Sequence, residues 1–331
     1  MGNGNKLRLL YIYKHLLRYS DAEHPVSTPE LLKFLKDTYG MDVNRTTLPG
    51  DFKMMEKAGF HFEVIRSRQN QYYFDGRLFD VAELKILIDA VSSSKFITEK
   101  KSHDLIKKLT TLTSEYNAEK LRRHVTVEGR VKSDNEKAYY ILDAVNTAID
   151  RECKIRFQYS EYNNRKRKIM KHGGEYYIVS PYSLVWDGDY YYVIGWCDNR
   201  DHMRNFRLDR FQQPPTVLYD EKAEPMPAEF KLAEYTRKVF HMFGNDQTVD
   251  VELLCESYVM NGIMDQFGTK TKTQEVDENH FKVTAKVCPS PTFYRWVFGW
   301  NGGMKILGPK SVQEEYRSML KKAMEICETD M

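Results

Sequence analysis

The first 76 residues constrain the fold most, because stretches with helical periodicity are followed by a single hairpin pattern. Apolar residues in segment 6–19 recur at spacings of three and four, which predicts a helix with one buried stripe. A second helix is predicted to start at Thr28 as its capping residue, with Pro29 in the first turn, and to stop at Gly40. The N-terminal region is therefore expected to be mainly helical.

A third helix is predicted within the stretch VNRTTLPGDFKMMEKAG, residues 43–59. Pro49 suits a first helical turn because it has no amide hydrogen to leave unpaired, but it disfavours helical angles at Leu48. We therefore expect this helix to begin near Pro49 and to end at Gly59. Its buried side is predicted to consist of Leu48, Phe52 and Met55.

A β-hairpin is predicted to follow, because apolar residues alternate on either side of a polar turn. Phe62 and Val64 precede the turn, and Tyr72 and Phe74 follow it. Three helices and a hairpin with a basic, amide-rich tip are typical of a winged helix-turn-helix, predicted here for residues 1–76. A small helical domain that binds protein is the alternative.

A winged helix-turn-helix would place the third helix in the major groove, which admits one helix, and the wing near the phosphates. The outward side of the helix lacks an arginine, so the loop ahead of it is expected to provide much of the specificity, while Gly50 permits close approach to the duplex. The predicted DNA contacts are Asn44, Arg45, Thr46, Thr47, Gly50 and Lys53 near the helix, and Arg66, Arg68, Gln69 and Gln71 in the wing.

Residues 77–133 are predicted to form a helical linker of two amphipathic segments. Asp80 and Glu83 have the spacing of a capping box at the start of the first segment. The apolar stripe of that segment is expected to bury against a neighbouring helix, for which a partner subunit is a natural source. This stripe consists of Val81, Leu84, Leu87, Ile88 and Val91.

Residues 134–220 are predicted to contain one helix followed by short strands. The strands are separated by tight turns, such as the one at Asp187 and Gly188, which favours a small barrel that leaves no exposed edges. Segment 151–171 has eight basic side chains and only two acidic ones. Its run Arg165–Lys168 is either a solvated hairpin tip or an anion-binding patch.

Residues 221–331 are predicted to form a compact α+β domain, because strand and helix patterns alternate there.

The five cysteines are dispersed and include no CxxC pair, so they are expected to be reduced core residues. No apolar run is long enough to span a membrane, and charged side chains interrupt the apolar N-terminal stretch, unlike in a signal peptide. A cytoplasmic protein is expected.

Two segments, SPYSLVWDGDYYYVIGW and MRNFRLDRF, carry a family resemblance. With them, the chain resembles the bacterial WYL-domain transcriptional regulators over essentially its whole length. The positions of the naming motif match Tyr191, Tyr192 and Val193, so only its central tyrosine is present. The stretch WNGGMKILGP near the C-terminus is similar to the C-terminal extension of that family.

The resemblance implies an Sm-like barrel that senses an anionic effector, such as a nucleotide or single-stranded nucleic acid. Aromatic and basic side chains could combine stacking with phosphate contacts. The predicted ligand contacts are Tyr159, Tyr182, Tyr191, Arg204, Arg207 and Arg210. Strand alternation would place Arg204, Phe206 and Arg210 on one face and Arg207 and Asp209 on the other. Alternatively, Asp209 only pairs with Arg207 or Arg210, and the stripe Tyr190, Tyr192, Ile194 and Trp196 is barrel core.

These patterns together predict an α+β multidomain protein that regulates transcription as a homodimer on double-stranded DNA. No P-loop, GxSxG or HExxH motif occurs, and the nine histidines lack ligand spacing, so no enzyme, cofactor or metal site is expected. The alternative is an accessory module that binds single-stranded nucleic acid or protein without reading duplex sequence. An enzyme that acts on nucleotides ranks third.

Overall fold

The computed structural model describes residues 3–123, 125, 127, 129, 131–228, 235 and 248–328. The chain divides into two compact units, Met1–Glu136 and Lys137–Met331, and each contains its own hydrophobic clusters. None of the described helices is both long and apolar enough to cross a membrane. The two units are described separately below.

The first unit begins with three helices and a small antiparallel sheet. These are α1 (Asn3–Tyr19), β1 (Val26–Ser27), α2 (Thr28–Tyr39), α3 (Leu48–Lys57), β2 (Phe62–Ile65) and β3 (Gln71–Phe74). The strand order is β1-β3-β2. β2 and β3 form the hairpin expected from the alternation, with Phe62 opposite Phe74 and Val64 opposite Tyr72. β1 was not predicted, because two residues are too few to show a period.

The start of α2 differs from the prediction by one residue. The capping residue is Ser27, whose side chain accepts a hydrogen bond from the Glu30 amide, while Glu30 accepts one from the Ser27 amide at 2.8 Å. Thr28 has already entered the helix, and its hydroxyl donates to the Asn70 carbonyl at 3.0 Å. Ser27 can act as the cap because β1 holds it in the extended conformation that a cap requires. The stop at Gly40 is confirmed, with φ at 64°.

The third helix, α3, begins at Leu48, one residue before Pro49, which agrees with the predicted start near Pro49. Leu48 is fully buried, and Thr47 before it already has helical angles. The bias that a proline imposes on its predecessor is therefore outweighed by the burial of the leucine side chain. Phe52 and Met55 are also buried, as predicted, and the Phe52 ring stacks on Tyr72 with centroids 4.1 Å apart.

The linker contains three helices where two were predicted: α4 (Val81–Ser93), α5 (Glu99–Thr110) and α6 (Glu115–Arg123). The Asp80 amide donates to Glu83 at 2.8 Å, which confirms the capping box. Leu84 and Ile88 are fully buried, but Val81 and Leu87 remain 39% and 38% exposed. Only part of the predicted stripe is therefore buried within the unit.

The second unit begins with α7 (Ala138–Asp150) and an antiparallel sheet. Its strands are β4 (Cys153–Gln158), β5 (Ser160–Tyr162), β6 (Lys168–Met170), β7 (Tyr176–Asp187), β8 (Tyr190–Cys197), β9 (His202–Arg207) and β10 (Thr216–Lys222). Five of them are ordered β10-β4-β7-β8-β9, and β5 pairs with β6 as a separate hairpin. A register shift between Pro181 and Ser183 interrupts β7.

The strand predicted for MRNFRLDRF ends early, at Arg207, and a 3-10 turn covers Leu208–Arg210. Alternation along a strand therefore does not extend to Asp209 and Arg210. The prediction that Asp209 shares the side of Arg207 still agrees with the structure, because the Arg207 guanidinium binds the Asp209 carboxylate. An isolated bridge between Tyr159 and Phe211 joins the chain after β4 to the chain after this turn. The closure of the sheet into an Sm-like barrel stays a prediction.

The C-terminal part of the second unit alternates strands and helices as expected. Its elements are β11 (Val249–Glu256), α8 (Met260–Phe267), β12 (Thr273–Asp277), β13 (His280–Val287), α9 (Pro291–Phe298), β14 (Met304–Gly308) and α10 (Lys310–Glu328). The sheet order is β12-β13-β11-β14. Four cysteines are buried free thiols, but Cys327 is exposed, because the last turns of α10 lie beyond the packed part of that helix around Val312.

Candidate nucleic-acid interface and effector site

The turn ahead of α3 is held by its own side chains. Asn44 Oδ1 accepts hydrogen bonds from the Thr46 amide and the Thr46 hydroxyl, both at 3.0 Å, and the Thr47 amide donates to the Asn44 carbonyl at 2.9 Å. Arg45 in this turn is exposed, and no carboxylate among the described residues forms an ion pair with it. The ordered turn therefore presents one exposed cation whose donors are available to a partner.

Gly50 and Lys53 lie on the exposed side of α3. A Cβ added at Gly50 would meet no atom within 4 Å, and Gly50 has no positive φ. Packing of the described residues therefore does not require a glycine at this position. Its small size instead leaves the first turn of the helix open to a close neighbour.

The β2–β3 hairpin, the predicted wing, has an ordered turn with two exposed cations. The Ser67 hydroxyl donates to the Gln69 carbonyl at 2.5 Å, and the Asn70 carbonyl accepts from the Thr28 amide at 2.9 Å. Arg66, Arg68 and Gln69 are exposed at the tip, whereas Gln71 belongs to β3 and is half-buried. The base of the wing is thus anchored to the start of α2, and its tip is free to contact a partner.

Asp51, in the first turn of α3, has a structural role that the sequence did not reveal. It is 1% exposed, and Arg8 of α1 binds it in a bidentate manner at 2.7 and 2.8 Å. The hydrogen bonds that Arg8 donates to this carboxylate raise the pKa of Arg8 above its ordinary value. The pair fixes the start of α3 on α1, which orients the side of α3 that carries Gly50 and Lys53.

Asp21 joins the winged region to the linker. The carboxylate accepts hydrogen bonds from the Ser114 hydroxyl at 2.5 Å and from the His24 amide at 2.9 Å. His24 also stacks on Tyr116 of α6, with ring centroids 3.8 Å apart. Burial acts to raise the pKa of Asp21, but the hydrogen bonds from Ser114 and His24 lower it overall. The charged carboxylate therefore ties α6 to the end of α1.

In the second unit, Arg207 at the end of β9 is held from three sides. Its guanidinium binds Asp209 at 3.1 and 2.8 Å and lies 3.4 Å from the centroid of the Tyr190 ring. Its amide donates to the Tyr159 hydroxyl at 3.0 Å. Burial opposes the charge of Arg207, but the hydrogen bonds and charge of Asp209 raise its pKa overall. Arg207 is thus a fixed cation on an aromatic face.

The sheet separates the predicted ligand residues onto two faces. Arg204 pairs with Gly195 and Arg207 pairs with Tyr192, three residues apart on β8, so the two arginines point to opposite faces. Tyr191 shares the Arg204 face and packs edge-on against Trp186. Tyr182 shares the Arg207 face and packs on the cluster around Ile194 and Met203. The six predicted residues therefore do not form one site.

Of the predicted ligand residues, Tyr159 is buried and Arg210 is exposed. Tyr159 is 7% exposed within an aromatic cluster, and burial raises its pKa to about 12, so its hydroxyl stays protonated. Its hydroxyl accepts a hydrogen bond from the Arg207 amide, and its buried ring is not available to stack on a ligand. Arg210 is exposed in the 3-10 turn. Tyr190 was predicted within a stripe that is either barrel core or a ligand platform, and its place two residues from Tyr192 puts it on the Arg207 face.

Tyr182 lies beside an acidic cleft instead of a basic one. The cleft has a volume of about 520 Å³ and is lined by Tyr182, Trp196, Asp198, Asp201, Glu224, Pro225 and Pro227. Lys154 binds Asp198 at 2.7 Å and Glu224 at 3.1 Å, which neutralises part of this charge. The surroundings of Tyr182 are thus unsuited to an anion. The described residues contain no group of three or more side chains arranged to hold a metal ion.

Two family models match the second unit. The WYL domain model matches residues 140–215, and the WCX domain model matches residues 247–324. The chain carries a WYL domain and a WCX domain. The fixed arginine, Arg207, and its partners Asp209 and Tyr190 all lie within the WYL domain, and the sheet of β11 to β14 lies within the WCX domain.

Two solved structures resemble the chain at low identity. Proteasome accessory factor B/C (PafBC) of Arthrobacter aurescens is 16% identical with a TM-score of 0.30, and the match covers 100% of this chain but only 48% of that one. A CRISPR Cas-related protein is 12% identical with a TM-score of 0.37, with 97% of this chain and 85% of that one covered. The chain thus spans about half the length of the PafBC chain. Curated proteins gave no match.

The Arg8–Asp51 pair leads to a stability prediction. Arg8→Ala leaves a buried carboxylate without its cation, so we expect the free energy of unfolding of the first unit to fall by about 3 kcal/mol. Denaturant titration of the full chain measures this. Lys14→Ala, at an exposed position of the same helix, is the control and should change stability by less than about 0.5 kcal/mol. Equal stability of the two variants would show that the pair does not hold α3.

Proposed function

We propose that the protein is a DNA-binding transcription regulator, with a winged helix-turn-helix in the first unit and a WYL domain that responds to an anionic ligand. One observation carries this proposal. Arg45, Lys53, Arg66 and Arg68 are all exposed around α3 and the wing, and none of them pairs with a carboxylate of the described residues. Cations left unpaired on an ordered surface suit the phosphates of duplex DNA.

In the proposed complex, α3 enters the major groove and the wing contacts the backbone or the minor groove. The fixed turn places Arg45 at the leading end of α3, where a bidentate contact to a guanine edge is the commonest specific one. Gly50 lets the first turn of the helix approach the duplex closely. Lys53 and the wing arginines contribute phosphate contacts, which position the protein without reading sequence.

The proposed effector site is the Arg207 face of an Sm-like barrel. Arg207 is already oriented by Asp209 and Tyr190, so an anion would meet a preformed guanidinium beside an aromatic ring. A nucleotide or a short single strand fits this chemistry, because phosphate and base can use the two groups together. An arriving anion competes with Asp209 for the guanidinium, and Arg210 in the adjoining turn adds charge.

Regulation in this proposal is a shift between two populations of a homodimer. The dimer has conformations that differ in the spacing of its two winged helices, and the ligand binds one of them more tightly. Ligand binding therefore changes the affinity of the dimer for a pseudo-palindromic operator. Val81 and Leu87, which stay partly exposed on α4, are candidates for the contact between subunits. The rival function is an accessory module that binds single-stranded nucleic acid or protein, and an enzyme acting on nucleotides ranks behind both.

Selection of bound genomic fragments tests the proposed function. We expect the full chain to enrich one sequence, and its binding to that duplex to fall steeply with salt. Arg45→Ala should cost about 1–3 kcal/mol on the selected duplex and reduce the preference over random duplex. Lys100→Ala, exposed in α5, is the matched control. If random duplex competes equally and short single strands bind better, the accessory-module function is the correct one.

Gly50 provides a second test, because folding and DNA binding should respond in opposite directions. Gly50→Ala adds a methyl group in open space, so we expect it to stabilise the helix by up to about 1 kcal/mol. The same methyl group should weaken binding to the selected duplex if α3 approaches closely. Thermal unfolding and a binding titration on one preparation measure both effects. Unchanged affinity would mean that this turn lies away from the DNA.

The effector site is tested with conservative substitutions on the two faces of the sheet. Arg207→Lys keeps the charge but loses the planar fork, so we expect mononucleotides and short single strands to bind at least about tenfold more weakly. Arg204→Lys, on the opposite face, should leave binding unchanged. Calorimetry with both probes measures the affinities. Loss of binding in the Arg204 variant alone would move the site to the other face.

A further inference from the structure

The hairpin of β5 and β6 projects a basic turn that neither the proposed operator site nor the proposed effector site uses. Ser160 pairs with Met170 and Tyr162 with Lys168. Asn163 closes the turn, because its side-chain oxygen accepts from the amides of Arg165 and Arg167 at 3.0 and 2.9 Å. The turn backbone is therefore ordered before any partner binds.

The charge of this turn is not compensated within the protein. Arg165, Lys166 and Arg167 are consecutive and exposed, and none forms an ion pair with a carboxylate in the part of the chain that the structure describes. The nearby pair between Lys171 and Glu161 is long, at 4.0 Å. Three adjacent like charges repel one another, so an anionic partner would relieve a cost that folding alone leaves in place.

Lys166, the middle residue of the turn, has a backbone conformation that is unfavourable for lysine. Lys166 has a φ of 58°, in the left-handed region where glycine or asparagine is favoured. A lysine there costs backbone free energy that a glycine would avoid. The position thus combines local strain with a cation in the turn of the hairpin.

The neighbouring aromatic group favours a duplex over a single strand as the partner. Tyr162 is 61% exposed, but the Lys168 ammonium lies 5.6 Å from its ring centroid. One face of the exposed ring beside the turn is therefore occupied by a cation, which makes it a poor platform for stacking an unpaired base. The remaining chemistry of the turn is a set of closely spaced point charges and guanidinium forks, which suits successive phosphates of one backbone.

We propose that the Arg165–Lys166–Arg167 turn is a second, sequence-independent contact to the phosphate backbone of duplex DNA. This inference rests on the proposed function in that the protein binds duplex DNA. It adds a contact made by the WYL domain through a surface separate from the Arg207 face. The turn contributes affinity and salt dependence but no choice of sequence.

A triple variant, Arg165→Ala, Lys166→Gly and Arg167→Ala, tests the proposal in the full chain. Glycine suits the left-handed position, so thermal unfolding should show that the variant is at least as stable as the parent. The control triple Lys305→Ala, Lys321→Ala and Lys322→Ala removes the same charge from exposed positions of the WCX domain. Binding to the selected duplex, to a random duplex of equal length and to a short single strand is measured from 50 to 200 mM salt.

We expect the hairpin variant to lower affinity for both duplexes by the same factor and to reduce the slope of log K against log salt by about 2–3, about one per lost phosphate contact. Slopes that match those of the parent or of the control triple would overturn the proposal. So would loss of binding to single strands alone. If no sequence is selected but random duplex binding depends on the hairpin, the inference stands and the proposed function fails. If one sequence is selected but the hairpin variant binds as the parent does, the proposed function stands and this inference fails.

Discussion

The first unit depends on a buried carboxylate at the end of α1. Asp21 is 8% exposed, and a charge at that depth is tolerated only when hydrogen bonds replace the water it has lost. Ser114 and His24 provide those bonds, so the linker helix α6 must stay in place for the N-terminal fold to be satisfied. Next to it, the Ser20 hydroxyl accepts from the Phe74 amide at 3.0 Å. Ser20 and Asp21 therefore form one corner of the first unit, which connects α1, strand β3 and the linker helix α6.

Through this corner, the linker helices connect to the proposed DNA-binding surface. Arg77 adds to it, because its guanidinium donates to the carbonyls of Leu17 and Ser20 at 2.8 and 2.7 Å. At the other end of α1, Arg8 holds Asp51 and with it the start of α3. α1 thus connects the linker at one end, through hydrogen bonds of Asp21, to the proposed recognition helix at the other, through the Arg8–Asp51 ion pair.

In the WYL domain, strand alternation decides which arginine belongs to the proposed effector site. Arg204 and Arg207 are three residues apart in β9, so they lie on opposite faces, as the sequence predicted. Asp209 pairs with Arg207 and orients it. The sequence had left open whether Asp209 pairs with Arg207 or with Arg210. Tyr182, expected beside these arginines, lies instead in an acidic cleft with Asp198 and Glu224. A basic, aromatic ligand site here is consequently smaller than the motif alone indicates.

Periodicity, turn residues and caps in the sequence determined most helices and strands, including the wing, the Asp187 turn and the order of the C-terminal elements, because these signals are local. They misplaced the end of β9, where the turn at Leu208 outweighs local preference. Only the tertiary structure decided the ion pair of Arg8 with Asp51 and the Asp21 junction. Each depends on residues far apart in the chain, which no local pattern of one sequence encodes.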